Sequence, residues 1–315
     1  MSTPLKLSGI IPIIPTPFTD ADEIDIVASR GLVEFAIAAG ANAICLPAYA
    51  SEFYKLDAAE RLLVVETAVD QARGRVPVLG QVNYPSARHA VEAARAAQRA
   101  GVSAINCAVP RMFGVGDRDL LRYFGRLLDS IDVPLVIQDF NPGGPTISPK
   151  FITELHRAHP NFRYVKLEEA MMGAKVEAIL HETGGEVGVM EGWGGLYMLE
   201  LIPMGICAVM PGLAVSDLLN RVWTLTKDQR LEEAYEVFQG VVPQIFHSLQ
   251  NMEFFHQAEK LLLQDRGVLP SANVRDLRID LDERDTRYIH FLNGRVMALL
   301  DRLAMPRNPT AKVGA

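Results

Sequence analysis

The sequence predicts an α/β protein of the (β/α)8 class, a TIM barrel with a C-terminal helical extension. Eight short apolar runs rich in β-branched residues recur between residues 9 and 212, segments with helical period separate them, and beyond residue 226 the pattern is purely helical. Near-continuous apolar strands alternating with helices indicate a parallel sheet covered on its outer face, and eight such units favour closure over an open doubly wound sheet.

The predicted strands, in order, are GIIPIIPTPF, NAICLPA, VPVLGQV, SAINCAVP, PLVIQDF, FRYVKLEE, EVGVMEG and ICAVMPG. The first ends in PTPFTD and no GxGxxG follows it, which weakens a dinucleotide-binding reading. Helices are expected at IVASRGLVEFAIAAG, DAAERLLVVETAVDQARG, SARHAVEAARAAQRAG, DRDLLRYFGRLLDSI and SPKFITELHRAHP, several opened by Ser or Asp and closed by Gly. IAAGANAICLPA, QRAGVSAINCAVP and IPMGICAVMPGLA echo one another, each running from a helix end through glycine into a strand. The division expected is a barrel over residues 1–226 and an extension over 227–315 packed on it, its last segment AMPRNPTAKVGA frayed.

Composition narrows the function. At 315 residues, 49% hydrophobic and 22% charged, the chain affords a large core. Its net charge of -7 argues against nucleic acid or an anionic membrane as partner, because both require a basic face. Cys45, Cys107 and Cys207 are odd in number, far apart and set in apolar runs, as reduced core residues of a cytoplasmic protein are. The proline-rich N-terminus does not read as a signal peptide, and no apolar stretch reaches the roughly 18 residues of a membrane span.

Active sites of such barrels lie at the C-terminal ends of the strands, which singles out Thr16, Tyr49 to Glu52, Asn83, Arg111, Gln138, Lys166, Glu168 and Glu191. In FRYVKLEE, alternation puts Tyr164, Lys166 and Glu168 on one face and the apolar Val165 and Leu167 on the other. Helices cover the outside, so the polar face points into the barrel. A desolvated lysine loses affinity for its proton and can attack a carbonyl to form a Schiff base. On position alone, a lysine held in an ion pair by Glu168 or Glu169 stands equally well.

No histidine ends a predicted strand, so no metal site is expected. Ser51, with the backbone amides of Ala50 and Ser51, can hold a carboxylate or simply cap a helix. Tyr49 offers a phenol, Arg111 a cation and Thr16 a hydroxyl, each with an ordinary structural reading beside it.

These residues resemble the dihydrodipicolinate synthase and N-acetylneuraminate lyase family. GIIPIIPTPF matches its first strand, AYASE followed by LDAAER stands where it has a GTTGE-type loop, PLVIQD occupies its fifth strand, and Lys166 takes the place of its Schiff-base lysine. The resemblance implies a covalent lysine Schiff base with no other cofactor, a 2-keto acid as substrate and a homotetramer. It also exposes departures. Gln138 stands where the family ends strand five with a tyrosine, Arg111 or Met112 replaces a second tyrosine, and NPGGPT lacks the family's arginine. Glutamine has no proton to exchange near neutral pH.

The subgroup of 2-keto-3-deoxy sugar-acid dehydratases, L-2-keto-3-deoxyarabonate dehydratase in particular, is most similar, with AYASEF, IQD and Lys166-Leu167-Glu168 as counterparts of its motifs. That likeness implies a dehydratase with Lys166 as nucleophile and with Ser51 and Ala50 on the substrate carboxylate; position on the strands adds Glu168 as base, Gln138 in the catalytic group, and Tyr49, Thr16, Arg111 and Glu191 around the substrate. Two alternatives stand beside it, a pyruvate-releasing or pyruvate-condensing aldolase and a non-catalytic keto-acid-binding barrel.

Overall fold

Prolines decide where the first strand stops. Pro12, Pro15 and Pro17 have no N–H to give to a ladder, so of the expected GIIPIIPTPF run only Gly9–Ile10 forms regular strand, β1. The computed structural model describes residues 5–111, 114–141 and 143–311. Its other strands are β2 (Ile44–Leu46), β3 (Val78–Gln81), β4 (Ala104–Ala108), β5 (Leu135–Phe140), β6 (Phe162–Glu168), β7 (Gly188–Glu191) and β8 (Ala208–Val209).

All eight lie in one sheet in the order β1-β8-β7-β6-β5-β4-β3-β2, and every pair is parallel. Ile13 closes the ring, bridging Cys45 on one side and Gly212 on the other. The fold is the (β/α)8 barrel expected.

Helices α1 (Ile26–Ala38), α2 (Ala58–Ala72), α3 (Ala87–Ala100), α4 (Asp117–Leu128), α5 (Pro149–Ala158), α6 (Gly173–Glu182), α7 (Met198–Leu201) and α8 (Ser216–Lys227) alternate with the strands. Their starts follow capping chemistry. Asp25 accepts the Ala28 N–H, Asp57 and Glu60 form a reciprocal capping box, and Ser148 caps α5 with Pro149 in its first turn. Ser86 precedes α3 without such a bond.

Two apolar layers result from strand alternation. Leu79, Val136, Tyr164, Met190 and Ala208 fill the barrel interior, whereas Ile105, Ile137, Val165, Leu167 and Val189 pack outward against the helices. The interior is plugged at its base by Tyr164, whose hydroxyl accepts the Leu7 N–H at 3.0 Å and donates to the Leu5 carbonyl at 2.9 Å.

Three helices follow the barrel, α9 (Leu231–Ser248), α10 (Met252–Asp265) and α11 (Glu283–Arg302). Helix α10 grips two loops at the C-terminal end of the barrel. Lys260 and Glu253 hold the loop after β2 through Glu52 and Lys55, while Glu259 and Arg266 hold the loop after β8 through Ala214, and Arg266 also holds the start of α8 through Asp217. Through Ala311 the tail is not frayed as the sequence suggested. Arg266 Nε donates to the Arg307 carbonyl at 2.7 Å, and Arg307 pairs with Asp301 at 2.6 Å. No helix of the described residues is long and apolar enough to cross a membrane.

Candidate active site

Alternation along β6 brings Lys166 and Glu168 to the inner face, where Lys166 is 3% exposed and Glu168 5%. Lys166 Nζ lies 2.8 Å from Glu168 Oε1. Register pairs Gln138 of β5 with Lys166, and the Gln138 amide Nε2 donates to the other carboxylate oxygen, Glu168 Oε2, at 3.0 Å. One carboxylate thus has one oxygen on the lysine nitrogen and the other on an amide.

The cavity above this pair, about 40 Å3, is lined by Lys166, Glu168, Gln138, Tyr49, Ala50 and Phe140, with Met252 and Phe255 of α10 as its outer wall. A larger apolar cavity of about 360 Å3 lies between α2 and α3, lined by Leu62, Val65 and Ala93. The buried lysine and its carboxylate converge only at the smaller one, which is therefore the candidate site.

Gly192 is indispensable to that convergence. A Cβ on it would sit 2.4 Å from Lys166 Cε and 2.6 Å from Glu168 Cγ. The Tyr49 ring stands 5.0 Å from both Phe53 and Phe140, in an aromatic wall continued by Trp193 at 6.1 Å from Phe140. Burial first, and then the Glu168 charge, push the Tyr49 phenol above its ordinary value. Tyr49 is thus a proton donor that stays protonated near neutral pH.

Other expected residues have structural employment. Ser51 Oγ donates to the Ile14 carbonyl at 2.6 Å and accepts the Ala48 N–H at 3.0 Å, while its own N–H goes to the Ala48 carbonyl at 2.9 Å. Thr16 Oγ1 donates to the Ser51 carbonyl at 2.7 Å. Both hydroxyls tie the loop after β2 to the chain after β1, and of the expected carboxylate cradle only Ala50 lines the cavity.

Arg111 pairs with Asp139, which points outward from β5, also accepts the Ile147 N–H at 2.8 Å, and lies 3.6 Å from Lys175. Burial raises the Asp139 carboxyl above its usual range, against these partners. Met112, the other candidate for the second tyrosine position, lies outside the described residues.

Glu191 turns away from the site because Met190 takes the inward position on β7. Its carboxyl accepts the Trp193 N–H at 3.0 Å and the Gly195 N–H at 2.8 Å, and burial pushes it up to about 8. It shapes the turn that carries Gly192 rather than contacting the cavity.

Two residues behind the site escaped the sequence reading. Gln81 Nε2 donates to Gln138 Oε1 at 2.6 Å, and Asn106 Nδ2 donates to Gln81 Oε1 at 3.1 Å. Both sit inside strands that read as apolar, two residues beyond the inward Leu79 and Ala104, so parity counted from those positions would have found them. Among the described residues no three His, Cys, Asp or Glu side chains are grouped to hold a metal ion.

Comparison with known proteins adds the lineage of this site. The sequence pattern of the Dihydrodipicolinate synthetase family matches residues 6–286. The chain belongs to that family. An L-2-keto-3-deoxyarabonate dehydratase of Azospirillum brasilense is 26% identical over 278 residues, covering 87% of this chain and 89% of that protein. A 4-hydroxy-tetrahydrodipicolinate synthase of Chlorobium limicola is 29% identical over 238 residues, 74% of this chain and 79% of its own length. Among solved structures, a dihydrodipicolinate synthase from Rhodopseudomonas palustris superposes with a TM-score of 0.86 at 25% identity, covering 93% of this chain and 100% of that one. Family members are lyases, and they divide between dehydration and carbon-carbon chemistry.

Proposed function

We propose that the protein is a Schiff-base lyase that dehydrates a 2-keto-3-deoxy sugar acid. The observation that carries this reading is the buried Lys166-Glu168 pair, 2.8 Å apart, with Gln138 on the second carboxylate oxygen where a phenol would serve an aldolase. The Lys166 amine attacks C2 of the keto acid, and loss of the carbonyl oxygen as water leaves an iminium. Glu168 takes a proton from C3, and the C3–H electron pair forms the enamine. The enamine then expels the C4 hydroxyl, which leaves with a proton as water, and hydrolysis of the imine frees Lys166. An aldolase requires a base on the C4 hydroxyl instead, and Gln138 is no base.

The dehydratase of Azospirillum brasilense supports the same choice of reaction. A homotetramer of such subunits, working in the cytoplasm, goes with this reading, and sedimentation tests the assembly. Incubation with pyruvate and borohydride is expected to add irreversible mass at Lys166, and an unmodified wild-type Lys166 would sink the proposal.

A second reading, a pyruvate-releasing aldolase, is favoured by one observation, the Tyr49 phenol lining the cavity. Coupled lactate dehydrogenase separates the two, because cleavage yields pyruvate and dehydration yields none.

A further inference from the structure

The row of polar groups that begins at Lys166 continues beyond the residues that do chemistry. It runs from Glu168 on β6 through Gln138 on β5 to Gln81 on β3 and Asn106 on β4, with links of 3.0, 2.6 and 3.1 Å. Gln138, Gln81 and Asn106 are each 4% exposed or less, in the layer above the apolar plug. The Cys45 thiol fills the same layer, 3.5 Å from Asn106 Nδ2.

An amide has a donating end and an accepting end, whereas an ionised carboxylate only accepts. Glu168 therefore sets the polarity of the whole row. Gln138 turns its NH2 to the carboxylate, which leaves its oxygen facing Gln81. Gln81 answers with its own NH2 and presents its oxygen to Asn106. Turning Gln138 over would set oxygen against carboxylate at one end and NH2 against NH2 at the other, breaking two buried hydrogen bonds at once.

Glutamine needs such support. A tyrosine in its place would be a rigid ring with one polar atom, but glutamine has a long, rotatable stem and a head with two ends of nearly equal size. Something must choose between them.

We propose that Gln81 is a positioning residue of the active site, locking the Gln138 amide in the orientation that donates to Glu168 Oε2 and so leaving Oε1 as the oxygen that works. Oε1 is the oxygen on Lys166 Nζ in the free enzyme. Once that nitrogen is bonded to C2, Oε1 faces the carbon next to it. The inference rests on the reading of Lys166 as nucleophile and Glu168 as base.

The test combines turnover of a 2-keto-3-deoxy acid with borohydride trapping of pyruvate. Gln81→Met, nearly equal in volume and without an amide, is expected to lower kcat about ten- to a hundredfold while KM and the rate of trapping at Lys166 stay close to wild type. Gln138→Met should lower kcat similarly, and the double variant should be no slower than Gln138→Met alone, because Gln81 acts only through Gln138. Losses that multiply in the double variant, or a Gln81→Met enzyme with kcat within about twofold of wild type, would overturn the proposal.

Should Gln81→Met not fold, Gln81→Asn keeps the amide but withdraws it by one methylene, and the same selective fall in kcat is expected. A wild type that is never trapped defeats the reading of Lys166. A wild type that is trapped and turns over, beside an unaffected Gln81 variant, defeats this inference alone.

Discussion

Lys260 Nζ lies 2.6 Å from Glu52 Oε1, and only 1% of either side chain meets solvent. The two residues are 208 positions apart, one on α10 and the other in the loop that carries Tyr49 and Ala50. Desolvation pulls the Lys260 ammonium down to about 8 even though the Glu52 charge opposes it. Lys260→Met takes one cation from Glu52 but leaves Lys55 Nζ 3.1 Å from the other carboxylate oxygen, so it is expected to cost about 1.5–3 kcal/mol in denaturant unfolding. Adding Glu52→Gln should restore part of that loss. A single variant within about 1 kcal/mol of wild type would show the pair to be of no account.

Glu168→Gln separates bond formation from proton abstraction. The amide is of the same size, and with its oxygen on the Gln138 NH2 it turns its own NH2 to Lys166, which favours the neutral amine, so trapping at Lys166 should survive, while turnover falls by about 10²–10⁴. Equal loss of both activities would make Glu168 a holder of the lysine and not a base.

Gly192→Ala tests how tightly the site is built. The new methyl meets Lys166 Cε and Glu168 Cγ at 2.4 and 2.6 Å, so the pair must spread. Overpacking of this kind costs about 1–3 kcal/mol of stability, within what a folded barrel tolerates. We expect a folded variant with little turnover and slowed trapping, and a crystal structure of it should show the lysine displaced.

Stability should also respond to pH through a buried carboxyl. Glu259 accepts the Ala214 N–H at 2.7 Å, and burial raises its carboxyl from 4.5 to about 7. The native state holds a proton there that the unfolded chain has released, so this contribution is complete below the ordinary carboxyl value and fades as pH rises through about 7. Glu191, raised to about 8, acts in the same direction. His256, held well below its ordinary value by burial, acts oppositely at lower pH, and Lys260, pulled down to about 8, acts oppositely toward the upper end, so the variant is compared with wild type over about pH 6.5 to 8. Across it the change of stability with rising pH should be about 1 kcal/mol less unfavourable in Glu259→Gln than in wild type. Parallel curves would show that Glu259 does not titrate there.

The buried Lys166-Glu168 pair is legible in the sequence because one strand carries it. Lys166 and Glu168 are two residues apart, and alternation alone sets their shared face. Gln81 and Asn106 were not, because their meaning lies in register between strands, and single polar residues in VLGQ and AINCA look like interruptions of an apolar run. Ser51, Thr16 and Glu191 stand near strand ends as expected, and each bonds to the backbone in a way the sequence does not show. A sequence shows that a hydroxyl or carboxyl is at hand, not that a backbone N–H or carbonyl has already claimed it. The first strand was drawn too long because apolar character outweighed its prolines, and the tail was released too early because Arg266 holds it from 41 residues away.

Helix α10 has a consequence for the order in which the protein comes to life. Translation delivers Lys166 and Glu168 with the sixth strand, yet Met252, Phe255 and the clamps at Glu259 and Lys260 leave the ribosome only after the whole ring has been made. Until then the amine has no outer wall and the loop after β2 lacks its anchor. Completion of the cavity is thus deferred to the end of synthesis, and a chain cut short before Met252 would carry Lys166 in an unfinished vessel.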